Sequence, residues 1–597
     1  MKKVTLLLLL STALLMGFED RIQPAWIYRT GESTEKGPGG GKEPALEATP
    51  VYFESLLYLG TPHGNTIALD ALSGTEVWRH DADVNPSGNY GDFSNRGVAV
   101  WRDAKAPRGA ACAARVFLAT VDAWLTSVDA KTGKPCEGFG NAGRLDLKKE
   151  LRRGPAYTGE YGSTSPPVIV DDVLVMGSTI ADNVRADSPV GDVRGFEPRT
   201  GKLLWTWNAL PENSEAGGGN TWPPITVDAA NHLVFLATGS PSPDYFGGLR
   251  PGDNRYANSV VALRPETGQL VWSFQTVHHD LWDYDVAFPP VLATVRVNET
   301  LVEALAAGSK TGHLFLLDRK TGKPLFPVEE RRVPQSDVPG ELASPTQPFP
   351  VMPKALVPQA ITAADAWGIN DAEQAECRER IAALRNDGMF TPPSLRGTLS
   401  FPGNIGGMHW GGGVFDASSG LLIVPTNRLA AAMRLVPREQ IADYRKANPE
   451  WETTAQRGAP FAMSRQFLLS ASGFPCTPPP FGTLTAVDLA TGGIRWEVPL
   501  GKMPILGARP EWGSVNLGGP ILVDGLVFIG ATLDPALRAF ELKTGKEVWQ
   551  GALPASARST PMSFVGTNGR RYVVVSAGGH DPRFGKLDTA VVAFRLP

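Results

Sequence analysis

Cysteine is scarce in this chain: four in 597 residues, Cys112, Cys136, Cys377 and Cys476. None stands in a CxxC or CxxCH arrangement, so neither a zinc pattern nor covalently attached haem is signalled. In an exported chain the even count permits disulfides, with three connectivities open. Charge is nearly balanced at −4 and no Lys/Arg block occurs, which leaves no electrostatic footprint for nucleic acid. Long apolar runs are also missing beyond residues 4–18, which follow two lysines. That run is too short for a comfortable membrane span and reads as a secretory signal over residues 1–18, with an uncleaved N-terminal anchor as the alternative. No small-x-small site precedes Glu19, and no second run exists to build a multi-span membrane domain. The expectation is a periplasmic or exported protein, with any membrane association through the N-terminus.

What is plentiful is glycine (65), proline (51) and tryptophan (15), the composition of a turn-rich all-β protein. One unit recurs: a strand, a D/E-x-x-T/S-G turn, and a strand often ending in Trp. It reads "ALDALSGTEVW" (68–78), "SVDAKTGKPCEGF" (127–139), "GFEPRTGKLLW" (195–205) and "ALRPETGQLVW" (262–272). It continues as "LLDRKTGKPLF" (316–326), "AVDLATGGIRW" (486–496) and "AFELKTGKEVW" (539–549). Each predicts a β-hairpin with its Gly in the turn. An eighth is assembled from both ends, "VVAFRLP" (591–597) with "PAWIYRTGE" (24–32). A second hairpin type alternates with the first, as in "PPVIVDDVLVMGS" (166–178), and it too occurs eight times. The fold expected is an eight-bladed β-propeller of four-stranded blades, a single domain over 19–597 whose last blade joins N- and C-terminal strands. Two insertions break the rhythm, about 327–411 and 428–483, the first with a helix over 371–385.

In such a blade the connections between the two hairpin types, and those leading to the next blade, share one face. That face collects "QTVHHDLWDYD" (275–285), "STIADN" (178–183), "GSPSPD" (239–244), "SKTG" (309–312), "TNRLA" (426–430), "AGGHDPR" (577–583), "NYGDFSNRG" (89–97) and "GGGNTWPP" (217–224). The other face carries mostly TG turns. Function is expected where varied polar loops converge on a rigid frame.

These strings, with "DAWGIND", "FTPPSLRGTLSFPGNIGGMHWGG" and "YVVVSAGGH", resemble the pyrroloquinoline-quinone (PQQ) dehydrogenases, nearest to the membrane-bound glucose and quinate type, from about residue 24 to the end. The resemblance implies a dehydrogenase that oxidises a sugar or polyol-type alcohol, with PQQ and Ca²⁺ or Mg²⁺. It implies Asp283 as the general base that takes the substrate hydroxyl proton as hydride passes to the quinone, and Lys310 as the cation on the quinone oxygens. Trp222 matches the platform under the planar cofactor. Asp182, Asn183, Asp283 and Asn427 match metal positions, with Asn183 and Asn427 also on the cofactor side. Arg96, Ser242 (at a Thr position) and His580 match cofactor-pocket positions, and Asp92 stands where the glucose type has a substrate-side His. Pairs Cys112–Cys136 and Cys377–Cys476 fit the family's spacing. The adjacent Cys-Cys pair of the PQQ alcohol dehydrogenases and the multi-helix membrane domain are absent from the sequence, so electrons are expected to pass to a separate quinone or cytochrome acceptor.

Each residue has a plainer reading. Asp283 could cap a turn, Lys310 could be solvated, Asp92 could order its loop and Trp222 could be packing. His278 and His279 are adjacent and point to opposite sides of an extended segment, so they suit loop ordering better than one metal. Trp282 reads as structural, and Trp78, Trp205 and Trp549 as packing between blades. A non-enzymatic envelope-assembly propeller would share the Trp repeat but has no need of Asp182, Trp222, Asp283, Lys310 and Asn427 together.

Overall fold

The repeated turn closes on its own side chains. In Asp129–Gly133 the Asp129 carboxylate accepts from the backbone N–H of Lys131 (3.1 Å) and Thr132 (2.9 Å) and from the Thr132 hydroxyl (2.9 Å). Gly133 then bonds back to the Asp129 carbonyl at 2.8 Å with φ +70°, a backbone that glycine adopts at no steric cost. Asp318–Gly322 repeats the pattern. The turn therefore fixes where each hairpin reverses.

The computed structural model describes residues 22–297 and 300–597; the expected signal or anchor lies outside them. Among the described residues, eight antiparallel sheets follow one another along the chain, from Val51–Asp81 to the C-terminus, and seven of them have four strands. In the last sheet Gln23–Arg29 pairs with Ala590–Arg595, which lies beside Arg571–Ala577, as expected of the joined termini. Two expected outer strands differ. In the second sheet residues 134–139 make only the bridge Val128↔Pro135, and Arg144–Asp146 takes the edge instead. The fifth sheet has three strands and only the bridge Leu317↔Pro324 at its outer side. Both segments read T-G-K-P, and proline brings no N–H to a ladder.

Between each pair of consecutive sheets lies an apolar cluster, and one more joins the last sheet to the first through Trp26, Leu57, Ile67, Val574 and Val591. The sheets also dock by one repeated contact. The outer-strand Trp of one sheet covers the turn Gly of the next and donates its indole N–H to a turn carbonyl. Trp26 covers Gly74 and bonds Ala71 O (3.1 Å); Trp78 covers Gly133 and bonds Ala130 O (3.1 Å). Trp205 and Gly268 with Pro265 O (2.8 Å), Trp272 and Gly322 with Arg319 O (3.1 Å), and Trp496 and Gly545 with Leu542 O (2.9 Å) complete five such contacts. Where the outer strand is displaced or lost, Phe139 lies against Gly201 and Met352 against Gly492. Trp549 has no turn to cover and packs edge-on to Phe594 at 5.1 Å.

The two insertions build one sheet together. Thr398–Ser400 from the first pairs with Ala431–Pro437 from the second, followed by Phe461–Phe467 and Glu452–Thr454. The expected helix is present as Asp371–Ala382, capped by Asn370, whose side chain accepts from Glu373 N at 3.0 Å. Both disulfides form as the family spacing implied, and Cys377–Cys476 ties that helix to the second insertion.

A Cβ at Gly268 would meet the Trp205 ring at 2.5 Å on a backbone of φ +68°, whereas Gly252 (φ +84°) has open space. Gly268→Ala should therefore cost about 1–3 kcal/mol more than Gly252→Ala, read by thermal or denaturant unfolding. Removing Cys377–Cys476, 99 residues apart, should destabilise more than removing Cys112–Cys136, 24 apart, since the longer loop loses more entropy on closure.

Candidate active site

The loop after strand Leu270–Gln275 is held from several sides. Asp280 accepts from the backbone of Trp282 (3.1 Å) and Tyr284 (2.9 Å) and from Asn258 Nδ2 (3.0 Å), and takes a short bond from Ser240. Trp282 is buried and donates to Thr391 O at 2.7 Å; Tyr284 donates to Pro402 O at 2.6 Å. His278 bonds Gln275 and Glu330, and His279 bonds Gly252 O and Glu341. The histidines thus go to different partners and order the loop, as expected. Within this frame Asp283 takes φ +60°, a left-handed backbone uncommon for a residue with a Cβ.

Asp283 anchors a buried charge cluster. Lys310 Nζ lies 2.7 Å from Asp283 Oδ1 and 2.8 Å from Asp285 Oδ2. Asp285 also accepts from Ser240 N (2.8 Å) and from Trp222 Nε1 (3.1 Å), which fixes the edge of the indole. Arg465, from the inserted sheet, reaches Asp283 Oδ2 at 3.1 Å and the Tyr245 hydroxyl at 2.8 Å. Burial pushes the Asp283 carboxyl up to about 7, against the pull of Lys310 and Arg465. Burial acts on Asp285 too, but Lys310 and the hydrogen bonds to it outweigh this and hold it below the usual carboxylate range.

Two further acids crowd this cluster. Asp182 and Asp244 are both driven well above the usual range by burial and then by neighbouring carboxylates, Asp283 and Asp285 on Asp182, and Asp182 and Asp283 on Asp244. Asp244 is 1% exposed and both its carboxylate oxygens lack a hydrogen-bond partner among the described residues. Buried carboxylates without partners are costly unless a cation completes them, and an all-oxygen set suits a hard divalent ion. The residues present fit such an ion.

The face of Trp222 is the other half of the site. The Arg96 guanidinium lies 5.4 Å from its ring centroid and Lys310 Nζ 5.9 Å. Arg96 also stands 4.6 Å from the Trp410 ring. Behind it Glu47, fully buried, bridges Arg96 (3.1 Å) and Arg558 (2.7 Å). Two aromatic faces with buried cations suit a flat ligand that carries anionic groups. A cavity of about 430 Å³ runs from here, lined by Arg96, Trp410, Thr49, Pro166, Pro224 and Thr560. A larger cavity of about 720 Å³, at Asn208, Arg255 and Tyr256, contains none of these residues.

Residues 20–573 match the family profile of the PQQ glucose/ethanol/alcohol dehydrogenase β-propeller domain. The chain belongs to this family. It is 38% identical to the quinoprotein glucose dehydrogenase of Escherichia coli (strain K12) over 96% of this chain and 75% of that protein. It is 36% identical to the quinate/shikimate dehydrogenase (quinone) of Acinetobacter baylyi, over 94% of this chain and 73% of that one. The fold is that of the quinohemoprotein alcohol dehydrogenase from Comamonas testosteroni, with TM-score 0.66 at 21% identity, covering 96% of this chain and 76% of that one.

Among the positions carried over from the quinoprotein dehydrogenases, the structure brings Asp283, Lys310, Trp222, Asp182 and Arg96 together. The others sit differently. Asn183 follows Asp182, half-buried, and its side chain makes no hydrogen bond among the described residues. The Asn427 amide is engaged on both sides by the Asn516 backbone (2.9 and 2.8 Å), while its N–H reaches Gly407 O, and Gly407 N in turn bonds Lys310 O. The Ser242 hydroxyl bonds Ser188 at 2.6 Å. His580 is half-buried, with desolvation and then Arg558 pulling it down to about 3; its ring nitrogens contact Ser556 Oγ and Ala531 O, both at 2.9 Å. Asp92 is one-third exposed and paired to Arg96 at 2.8 Å. Sequence reasoning passed over Asp285, Asp244, Glu47, Arg558 and Arg465. Asp285 was within reach, two residues beyond Asp283 in the same string.

Lys310→Met strands two buried carboxylates and should cost about 3–5 kcal/mol of stability in metal-free protein, read by denaturant unfolding. Burial raises the Asp92 carboxyl, but Arg96, Arg558 and Lys42 outweigh it and hold it at about 2. Its folded value lies below the unfolded one, so its contribution is present above pH ~4 and fades as pH falls towards ~2. Asp92→Asn should flatten that acid limb of the stability curve and leave the neutral region without a slope of its own.

Proposed function

We propose that this protein is an exported, periplasmic quinoprotein dehydrogenase that oxidises a sugar or polyol-type alcohol. The observation that carries this is the adjacency of a buried carboxylate, Asp283, to Lys310 and to the Trp222 face on which Arg96 also closes. Asp283 is the general base: a carboxyl pushed up to about 7 by burial has the proton affinity that accepting an alcohol proton near neutral pH requires. Lys310 steadies Asp283 and presents its cation over the Trp222 face. Trp222 would support the flat ring system of PQQ, and Arg96 would meet its anionic groups. Asp182, Asn183, Asp283 and Asn427 are the proposed Ca²⁺ or Mg²⁺ positions, and the partnerless oxygens of Asp244 add that residue to the set. When bound, the quinone supplies the hydride acceptor and the divalent ion polarises it. His580 and Ser242 are proposed to border the cofactor pocket and Asp92 to face the substrate.

The frame for this site is proposed to be one eight-bladed propeller over 19–597, with the two insertions as its roof. The eight successive sheets, the cluster between the last and the first, and the Trp26–Gly74 contact all support a closed ring. No helix among the described residues is long and apolar enough to cross a membrane. Electrons are proposed to leave to a separate quinone or cytochrome acceptor.

The test is reconstitution with PQQ, with and without Ca²⁺ or Mg²⁺, followed by aldoses, cyclic polyols and simple alcohols with a dye acceptor. Metal-dependent dye reduction is expected, and Asp283→Asn should lower it by about 10²–10⁴-fold. Failure to bind PQQ under every metal condition would overturn the dehydrogenase reading and leave the scaffold.

A further inference from the structure

We infer that Arg465 is a positioning residue for the base, delivered to the site by the inserted sheet. The inference rests on the dehydrogenase reading above and adds to it a residue outside the repeat. Arg465 lies on strand Phe461–Phe467, directly opposite Glu452 on Glu452–Thr454. A cross-strand Arg–Glu pair at a sheet surface is ordinarily solvated and worth little. Here the guanidinium is turned inward: its side chain is 13% exposed, against 51% for Glu452.

The grip of Glu452 sets the aim. Its two oxygens take Nε (3.0 Å) and Nη2 (2.9 Å), so the planar fork is held along one edge. Nη1, at the far end of the fork, then donates to the Tyr245 hydroxyl (2.8 Å) and to Asp283 Oδ2 (3.1 Å). Lys310 holds the other oxygen, Oδ1, at 2.7 Å. Each oxygen of the base therefore meets a separate cation, and two contacts at fixed directions set the plane of the carboxylate. The backbone of Asp283 is in a sparsely populated conformation, so side-chain partners have to define where the group points. Glu452 offsets part of the charge of Arg465, and the rest draws on the Asp283 carboxyl against burial, so Arg465 contributes field as well as orientation. Arg465 makes no hydrogen bond to Trp222 or Lys310 among the described residues, so its removal spares that half of the site.

The test compares wild type, Arg465→Met, Arg465→Lys and Asp283→Asn as PQQ- and metal-loaded enzymes, with kcat counted per PQQ-loaded site. Arg465→Met should lower kcat on the order of 10²-fold, as misplacement of a reacting group does, with KM little changed and a loss larger than any fall in melting temperature explains. Arg465→Lys should recover part of the loss. A crystal structure of the unloaded Arg465→Met protein should show the Asp283 carboxylate rotated out of its wild-type plane. Wild-type kcat in Arg465→Met, a loss that only tracks a lowered melting temperature, or an unmoved carboxylate would overturn the inference while wild type is active and Asp283→Asn is not. If wild type shows no PQQ-dependent turnover, or Asp283→Asn keeps it, the dehydrogenase reading fails and this inference falls with it.

Discussion

The indole laid on a glycine is the contact from which the rest of the molecule is set out. It asks three things of the turn: no Cβ, a left-handed backbone, and a carbonyl aimed at the neighbouring ring. The D/E-x-x-T/S-G sequence meets all three, because the carboxylate folds the turn and the glycine closes it; at Gly268, where Arg264 takes the acid position, the glycine closes the turn by its bond to Arg264 O (2.8 Å). A large aromatic surface is buried and its one polar atom is satisfied, so the contact carries both packing and direction. Repeated at five junctions, it gives those successive sheets the same docking contact. The loops on the opposite face then arrive together without needing to recognise one another.

Onto that frame the site adds charge that the frame does not require. Asp182, Asp244, Asp280, Asp283 and Asp285 are gathered near Lys310 and Arg465, in surroundings where each unmatched carboxylate is pushed toward its neutral form. Such an arrangement is costly to hold, and the anchors of the loop are correspondingly many: Asp280 with its bonds to the backbone, the buried Trp282 and Tyr284, and two histidines at separate points. Stability contributed by packing between sheets is drawn on to keep acids close together.

Much of this was legible before any coordinates. The hairpin rhythm, the joined termini and both cysteine pairs could be read because periodic patterns and long motifs repeat or match as wholes. Asp283, Lys310 and Trp222 lie inside such strings. The lost outer strands of the second and fifth sheets were readable too, in Pro135 and Pro324, but the turn motif masked them. Arg465 and Glu452, 13 residues apart, could not be found that way, since the insertions have no period and Arg465 reaches the site only because the two insertions pair through Thr398–Ser400 and Ala431–Pro437. Glu47 gives no local signal; only the approach of Arg96 and Arg558 from loops far apart in the chain gives it a meaning.

The joining of the first strand to the last has a consequence for how the chain comes into being. Ala590–Arg595 lies between Gln23–Arg29 on one side and Arg571–Ala577 on the other. A ribosome delivers Gln23–Arg29 well before Ala590–Arg595, its sheet partner among the described residues, so that strand waits unpaired while everything between them is made. Loss of Ala590–Arg595 would leave Gln23–Arg29 without its partner and Arg571–Ala577 paired on one side alone, with Met562–Val565. The last sheet is thus completed only where both of these distant strands have been made and have met.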